Sequence, residues 1–217
     1  EDNNILEKLQ SGFRTRHNTE SALLKVHNDI LISLDAKKPV LLVLLDLTAA
    51  FDTVDHSILL ARLAQHVGLQ GSVLQWFGSY LTARTFSVMI GDLSSSSALL
   101  SSGVPQGSIL GPVLFFLYLL PLGSIILKHN VSFHLYADDL QLYLPIMSNC
   151  PDALESIHKC LSDIKLWVSQ NFLCLNESKT ECILFGSSNP PSTTPGLGPL
   201  VSYCNNVVKN LGVKFDS

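Results

Sequence analysis

Charge is scarce in this 217-residue chain, and its balance is wrong for a protein that grips phosphate unaided. Charged residues make up 15% of the sequence, with 14 Lys plus Arg against 18 Asp plus Glu and a formal net charge of -4. A self-sufficient nucleic-acid binder carries a basic excess that releases counterions from phosphates. Here the basic residues are scattered, and Lys37-Lys38 is their one adjacent pair. A cysteine pairing pattern is also missing. The five cysteines (Cys150, Cys160, Cys174, Cys182 and Cys204) are odd in number and contain no CxxC. In a chain too large to need disulfides, that predicts buried, reduced thiols in an intracellular protein. No signal peptide opens the chain at Glu1-Asp2-Asn3-Asn4, which reads as part of a longer frame.

What is abundant is apolar. Hydrophobic residues reach 47% and the mean hydropathy is +0.30, which excludes a disordered chain. The length suits one domain with a substantial core. From Leu93 to Leu127 there is no charged side chain. The second half of that stretch, Ile109 to Leu127, is long enough to span a bilayer. Pro112, Pro121, Gly111 and Gly123 interrupt it, however, and favour a helix buried in a globular core with no membrane partner.

Periodicity predicts a helix over Glu20–Leu34, capped by Asn18 or Thr19 without a full capping box. The run Val40-Leu-Leu-Val-Leu-Leu45 reads as a strand buried on both faces, ending at Asp46. Further helices are expected over Ser57–His66 (capped by Asp55), Ser72–Leu81 and Asp152–Val168. A strand is expected over Thr85–Ile90, and a Ser-, Pro- and Gly-rich loop over Ser187–Leu200.

Between Val131 and Leu144 the apolar parity switches. Val131, Phe133 and Leu135 are odd-numbered, whereas Leu140, Leu142 and Leu144 are even. One continuous strand would throw half of these onto the wrong face. A tight hairpin with Asp138-Asp139 at its tip removes the conflict and pairs Leu135 with Leu142 and Phe133 with Leu144. Two strand ends then carry acid. If those strands are neighbours, three carboxylates converge, and their repulsion calls for a proton or a divalent cation. Oxygen ligands without a nearby Cys or His pair suit Mg²⁺ or Mn²⁺. On spacing alone, ordinary turn and cap residues account for these acids equally well.

The surrounding letters add a resemblance. Leu44-Leu45-Asp46-Leu47-Thr48-Ala49-Ala50-Phe51-Asp52-Thr53-Val54-Asp55-His56 resembles motif A of reverse transcriptases from non-LTR (LINE-like) retrotransposons. Ser102-Gly103-Val104-Pro105-Gln106-Gly107-Ser108-Ile109-Leu110-Gly111-Pro112 is similar to their motif B, and Tyr136-Ala137-Asp138-Asp139 to motif C. Leu175-Asn176-Glu177-Ser178-Lys179-Thr180 resembles motif D, and Asn210-Leu211-Gly212-Val213 the primer grip. Gln10-Ser11-Gly12-Phe13-Arg14 is similar to the fingers motif that precedes motif A. A single tetrapeptide carries little weight; six blocks in the family's order and spacing carry much more.

The resemblance implies an α+β fold: a right-hand polymerase palm with an antiparallel sheet backed by helices, partial fingers and no thumb. Residues 1–39 would be partial fingers. Residues 40–217 would be palm, with a fingers-like insertion at roughly 57–100 and the primer-grip region at the C-terminal end. The implied activity is RNA-directed DNA synthesis, with two Mg²⁺ ions (Mn²⁺ as a substitute), an RNA template, a DNA primer and deoxynucleoside triphosphates. Target-primed integration would put that work in the nucleus.

Site roles follow from the same resemblance. Asp46, Asp138 and Asp139, with the Leu47 carbonyl, would hold the metals. Phe51 would lie under the sugar and reject a 2′-hydroxyl. Gln106 and Gly107 would line the nucleotide and template pocket. Tyr136, Leu211 and Gly212 would meet the primer, Arg14 would brace the fingers or touch template, and Lys179 would protonate pyrophosphate. Each also has a plainer reading: Phe51 as core, Tyr136 as sheet surface, Gln106-Gly107 as a turn, Lys179 and Arg14 as solvated surface. Asp52 and Asp55 read as turn and cap residues. A second functional reading is an inactive remnant that keeps the fold and binds nucleic acid or a partner. The scarcity of basic residues fits a chain that is mainly palm, and predicts weak primer-template binding by these 217 residues alone.

Overall fold

A computed structural model of the chain describes residues 5–146, 152–187 and 190–217. Helix α1 (Thr19–Asp35) comes first, followed by strand β1 (Val40–Leu45), α2 (His56–Gln65) and α3 (Gly71–Leu81). Four two-residue strands follow: β2 (Thr85–Phe86), β3 (Met89–Ile90), β4 (Leu93–Ser94) and β5 (Ala98–Leu99). Then come α4 (Leu110–Leu127), β6 (Ser132–Tyr136), β7 (Asp139–Pro145), α5 (Asp152–Gln170), β8 (Glu181–Phe185), β9 (Val207–Asn210) and β10 (Val213–Asp216).

The main sheet has the order β6-β7-β1-β8, with every pair antiparallel. Its centre is β1, whose unbroken apolar run has a core on each side. Leu41, Val43 and Leu45 join Leu140, Leu142, Leu144, Phe133 and Leu135 in the larger core, together with side chains of α2, α4 and α5. Val40 and Leu42 face the other way, toward Val26 and Ile30 of α1 and Val208 of β9. A strand that buries both faces needs no polar alternation, and this one has none.

α4 is one continuous helix with Pro121 inside it, so the expected break at that proline does not occur. Pro112 is tolerated in the first turn, where the N–H has no intrahelical acceptor. By length and composition Leu110–Leu127 could cross a membrane, yet 56% of that window is buried within the fold. Its apolar surface is spent against α2, α5 and β6. Between these helices lies a buried cation the sequence did not announce. The Arg62 guanidinium sits 4.4 Å from the Tyr118 ring centroid and 5.2 Å from that of Trp167, and donates to Asn171 Oδ1. Burial lowers its pKa to about 10.

Several expectations change in detail. A full capping box does open α1, because Asn18 Oδ1 accepts from the Ser21 N–H while Ser21 Oγ accepts from the Asn18 N–H. The expected strand Thr85–Ile90 divides into β2 and β3, which pair with β5 and β4 in an exposed arm. The expected loop from Ser187 contains short 3-10 turns at Pro191–Thr193 and Gly198–Tyr203, with residues 188 and 189 outside the described set. The cysteine expectation needs correction. Cys182 and Cys204 form a disulfide with Cα atoms 4.4 Å apart, tying β8 to the segment before β9. Cys160 is free and buried as expected, Cys174 is free but exposed, and Cys150 lies outside the described residues.

The β6–β7 hairpin also differs from expectation. The two strands present the faces that their apolar parity predicts, but the register is two residues tighter. Leu135 pairs with Leu140, Phe133 with Leu142, and Tyr136 with Asp139. The turn is therefore Ala137-Asp138, and Ala137 takes the positive φ (+56°) that such two-residue turns usually give to glycine.

Candidate active site

Strand alternation decides where the acids go. Along β7, Asp139, Gln141 and Tyr143 share the face that carries α1 and the β9–β10 hairpin, opposite Leu140 and Leu142. Asp46 follows Leu45 on the neighbouring strand. Asp46 and Asp139 consequently line one cleft of about 360 Å³, together with Leu44, Gln141, Lys179 and Leu211. A wider opening, of about 650 Å³ around His129, His158 and Asp163, contains none of the three acids.

The electrostatics of the cleft are those of carboxylates drawn together. Burial raises the Asp139 pKa from 3.8 to about 6, with the Asp138 and Asp46 charges pushing the same way. Burial also raises Asp138, and Asp46 adds to the effect. Lys179 opposes both shifts. Its Nζ stands 3.2 Å from Asp46 Oδ2, a cation already resting on one of the acids. The short 3-10 helix Glu177–Lys179 holds it there. Among the described residues, no group of three or more His, Cys, Asp or Glu is arranged as a ready ligand set. Asp138 shares the field of the other two acids but does not line the cleft. The expected convergence is thus electrostatic, short of a closed cage.

Motif A is tied to its neighbours through backbone. The Asn176 N–H donates to the Asp46 carbonyl and the Thr48 N–H to the Cys174 carbonyl, both at 2.8 Å. This bridge leaves the Leu47 carbonyl out of its bonds. Motif B is fastened to the loop after β1: the Val104 N–H donates to the Phe51 carbonyl, and the Gly103 N–H to the Val54 carbonyl. Gln106 Nε2 donates to Asp52 Oδ1 at 2.8 Å, so Asp52 does more than shape a turn. Gly107 has a φ of +76° and no protein atom within 4 Å of where a Cβ would stand, leaving that side open. The Phe51 ring, half-buried, stacks on Phe115 at 4.5 Å between centroids.

The remaining candidates divide. Tyr136 is half-buried beside the turn, opposite Asp139. Leu211 and Gly212 form the two-residue turn of the β9–β10 hairpin, both at positive φ, and Leu211 reaches the cleft. Arg14 stays outside the cleft; its Nη1 donates to the carbonyls of Glu7 and Gln10, bracing the segment before α1.

Four residues that earned no role from sequence matter to this geometry. Asn210 Nδ2 donates to Gln141 Oε1 at 2.9 Å between two buried side chains, docking the β9–β10 hairpin on the main sheet. A polar residue inside Leu140-Gln-Leu-Tyr-Leu144 was the available signal, since a buried amide must find a partner. Gln10 and Gly12 lie against the Ala137-Asp138 turn.

Comparison with known proteins agrees with this geometry. The chain is 30% identical over 96% of its length to the RNA-directed DNA polymerase from mobile element jockey of Drosophila funebris. It is 31% identical over 98% to the probable RNA-directed DNA polymerase from transposon X-element of Drosophila melanogaster. It spans only 23% of either relative's length. The fold resembles part of a solved telomerase: apo Candida tropicalis telomerase truncated from the C-terminal domain superimposes with a TM-score of 0.64 at 13% identity, over 95% of this chain and 39% of that one. The family described as reverse transcriptase (RNA-dependent DNA polymerase) matches residues 1–215. Acids on adjacent antiparallel strands, six motif blocks in order and a family match along nearly the whole sequence agree, and the chain belongs to the reverse transcriptase family.

Proposed function

We propose that this chain is the polymerase core of a non-LTR retrotransposon reverse transcriptase, extending a DNA primer with deoxynucleotides along an RNA template. The observation that carries this reading is the cleft in which Asp46 and Asp139, from neighbouring strands, meet Lys179 and the β9–β10 turn. Its donor chemistry suits a hard divalent cation: carboxylate oxygens that repel one another, and an ammonium held against one of them. Asp46, Asp138 and Asp139, with the Leu47 carbonyl, would hold Mg²⁺, or Mn²⁺ in its place. Metal bound there would supply Lewis acidity, lowering the pKa of a primer 3′-hydroxyl and neutralising charge on the triphosphate.

The chain's own residues do the rest. Phe51, backed by Phe115, forms a fixed wall against the sugar. Gln106, held by Asp52, presents an amide to the template-nucleotide pair, and the open side of Gly107 lets it approach. Tyr136, Leu211 and Gly212 border the primer end. Lys179, released from Asp46, carries on Nζ a proton for the departing pyrophosphate. Arg14 supports the upstream segment. For an element that primes on chromosomal DNA, the working compartment is the nucleus.

The test is RNA-templated primer extension by the longest reading frame that contains this chain, with Asp139→Asn as control. Extension by the wild type and none by the variant supports the reading. A folded wild type that binds primer-template without extending it overturns the reading in favour of an inactive remnant.

A further inference from the structure

The turn that carries the acids has the wrong residue for its conformation. Ala137 sits at φ +56°, where an L side chain is strained and glycine is not. It is held there from far away in sequence. The Ala137 N–H donates to Gln10 Oε1 at 2.9 Å, and Gln10 Nε2 donates to the Ala137 carbonyl at 3.1 Å. One buried carboxamide thus satisfies both backbone groups of the strained residue, and its Oε1 also accepts from the Gly12 N–H at 2.8 Å.

The segment around Gln10 is seated firmly enough to serve as a clamp. The Ser11 N–H donates to the Leu135 carbonyl, and the Leu135 N–H to the Leu9 carbonyl. Ser11 Oγ pairs with His134 Nε2 at 2.8 Å. Residues 9–12 therefore lie along β6, an edge of the main sheet. Gly12 passes so near the turn that a Cβ would stand 2.4 Å from the Ala137 nitrogen.

We propose that Gln10 is a positioning residue for catalysis: its carboxamide imposes the left-handed conformation of Ala137 and so sets the direction in which Asp138 and Asp139 leave the turn. The hydrogen bonds it supplies are comparable in size with the strain they hold, so the turn relaxes when they are removed. In its effect on cation binding, the inference rests on the function proposed above.

The experiment uses the full chain and two readouts. The first is metal-free amide exchange by NMR. Gln10→Met, similar in volume but without the hydrogen bonds, should speed exchange at Ala137 by about tenfold or more while Leu140 to Leu144 keep their protection. The second is Mn²⁺ affinity from water-proton relaxation. Gln10→Met should weaken it about tenfold, and Ala137→Gly added to that variant should recover most of the loss, because glycine adopts the turn without help. A clamp that is only packing predicts unchanged exchange at Ala137 and unchanged affinity, and either result overturns the proposal. Affinity lost in Gln10→Met and not recovered by Ala137→Gly also overturns it. If the wild type binds no Mn²⁺, the cation reading fails, and exchange at Ala137 alone decides the clamp. Should Gln10→Met not fold, Gln10→Asn, one methylene shorter, is read by the same criteria.

Discussion

Lys179 Nζ rests 3.2 Å from Asp46 Oδ2, joining two residues 133 positions apart in the chain. Replacing the lysine by methionine removes the charge that restrains Asp138 and Asp139, so both carboxyl pKa values should rise further. Carboxyl ¹³C titration reads this directly. If Lys179 also protonates pyrophosphate, Lys179→Met should lower kcat about 100-fold with little change in KM. Lys179→Arg separates the two roles. It should restore the carboxyl pKa values and leave kcat low, because guanidinium holds its proton too tightly.

Asp139 gives the fold a pH dependence of definite sign. Its pKa is 3.8 in the ordinary state and about 6 when folded. Between those values the native chain binds more protons than the unfolded one, so stability falls as pH rises through that window. Urea midpoints from pH 4 to 7 should show wild type losing stability relative to Asp139→Asn as pH climbs. Parallel curves would mean that Asp139 titrates normally.

Gln106 and Asp52 should behave as one unit. Each alanine substitution removes the same 2.8 Å bond, so the double variant should lose no more kcat/KM than the worse single one. Independent roles predict losses that multiply, and a double-mutant cycle with a coupling near zero would establish independence.

Phe51 has its orientation fixed from behind by Phe115. Phe51→Ala should cost about 2 kcal/mol of stability, through the lost stack and partial burial. It should also raise ribonucleotide incorporation relative to deoxynucleotide about tenfold or more, since the 2′-hydroxyl is the chemical difference between the substrates. A stability loss without a change in that ratio would assign the ring to packing alone.

Much of this was legible in the residues. The doubly buried β1, the two strand ends bearing acid and the opposed faces of the hairpin follow from apolar parity, which is a local property. What escaped has non-local causes. The tighter hairpin register depends on Ala137 accepting a positive φ, and that depends on Gln10, 127 positions away. Lys179 reaches Asp46 only because residues 174–176 add backbone pairing beside motif A. Pro121 stays inside α4 because that helix is packed by neighbours on several sides, so tertiary burial offsets a local defect. The Cys182–Cys204 bond joins residues whose spacing carries no pairing signal.

The central place of β1 has a consequence for synthesis. It leaves the ribosome as Val40-Leu-Leu-Val-Leu-Leu45, and neither neighbour exists until β7 and β8 have been made. Short uncharged apolar segments of this kind stack readily with copies of themselves. The nascent strand is bounded by Lys37-Lys38-Pro39 on one side and Asp46 on the other, the charges and proline that act as gatekeepers against such stacking. Asp46 therefore stands as a gatekeeper charge on the emerging chain before the cleft that it lines has formed.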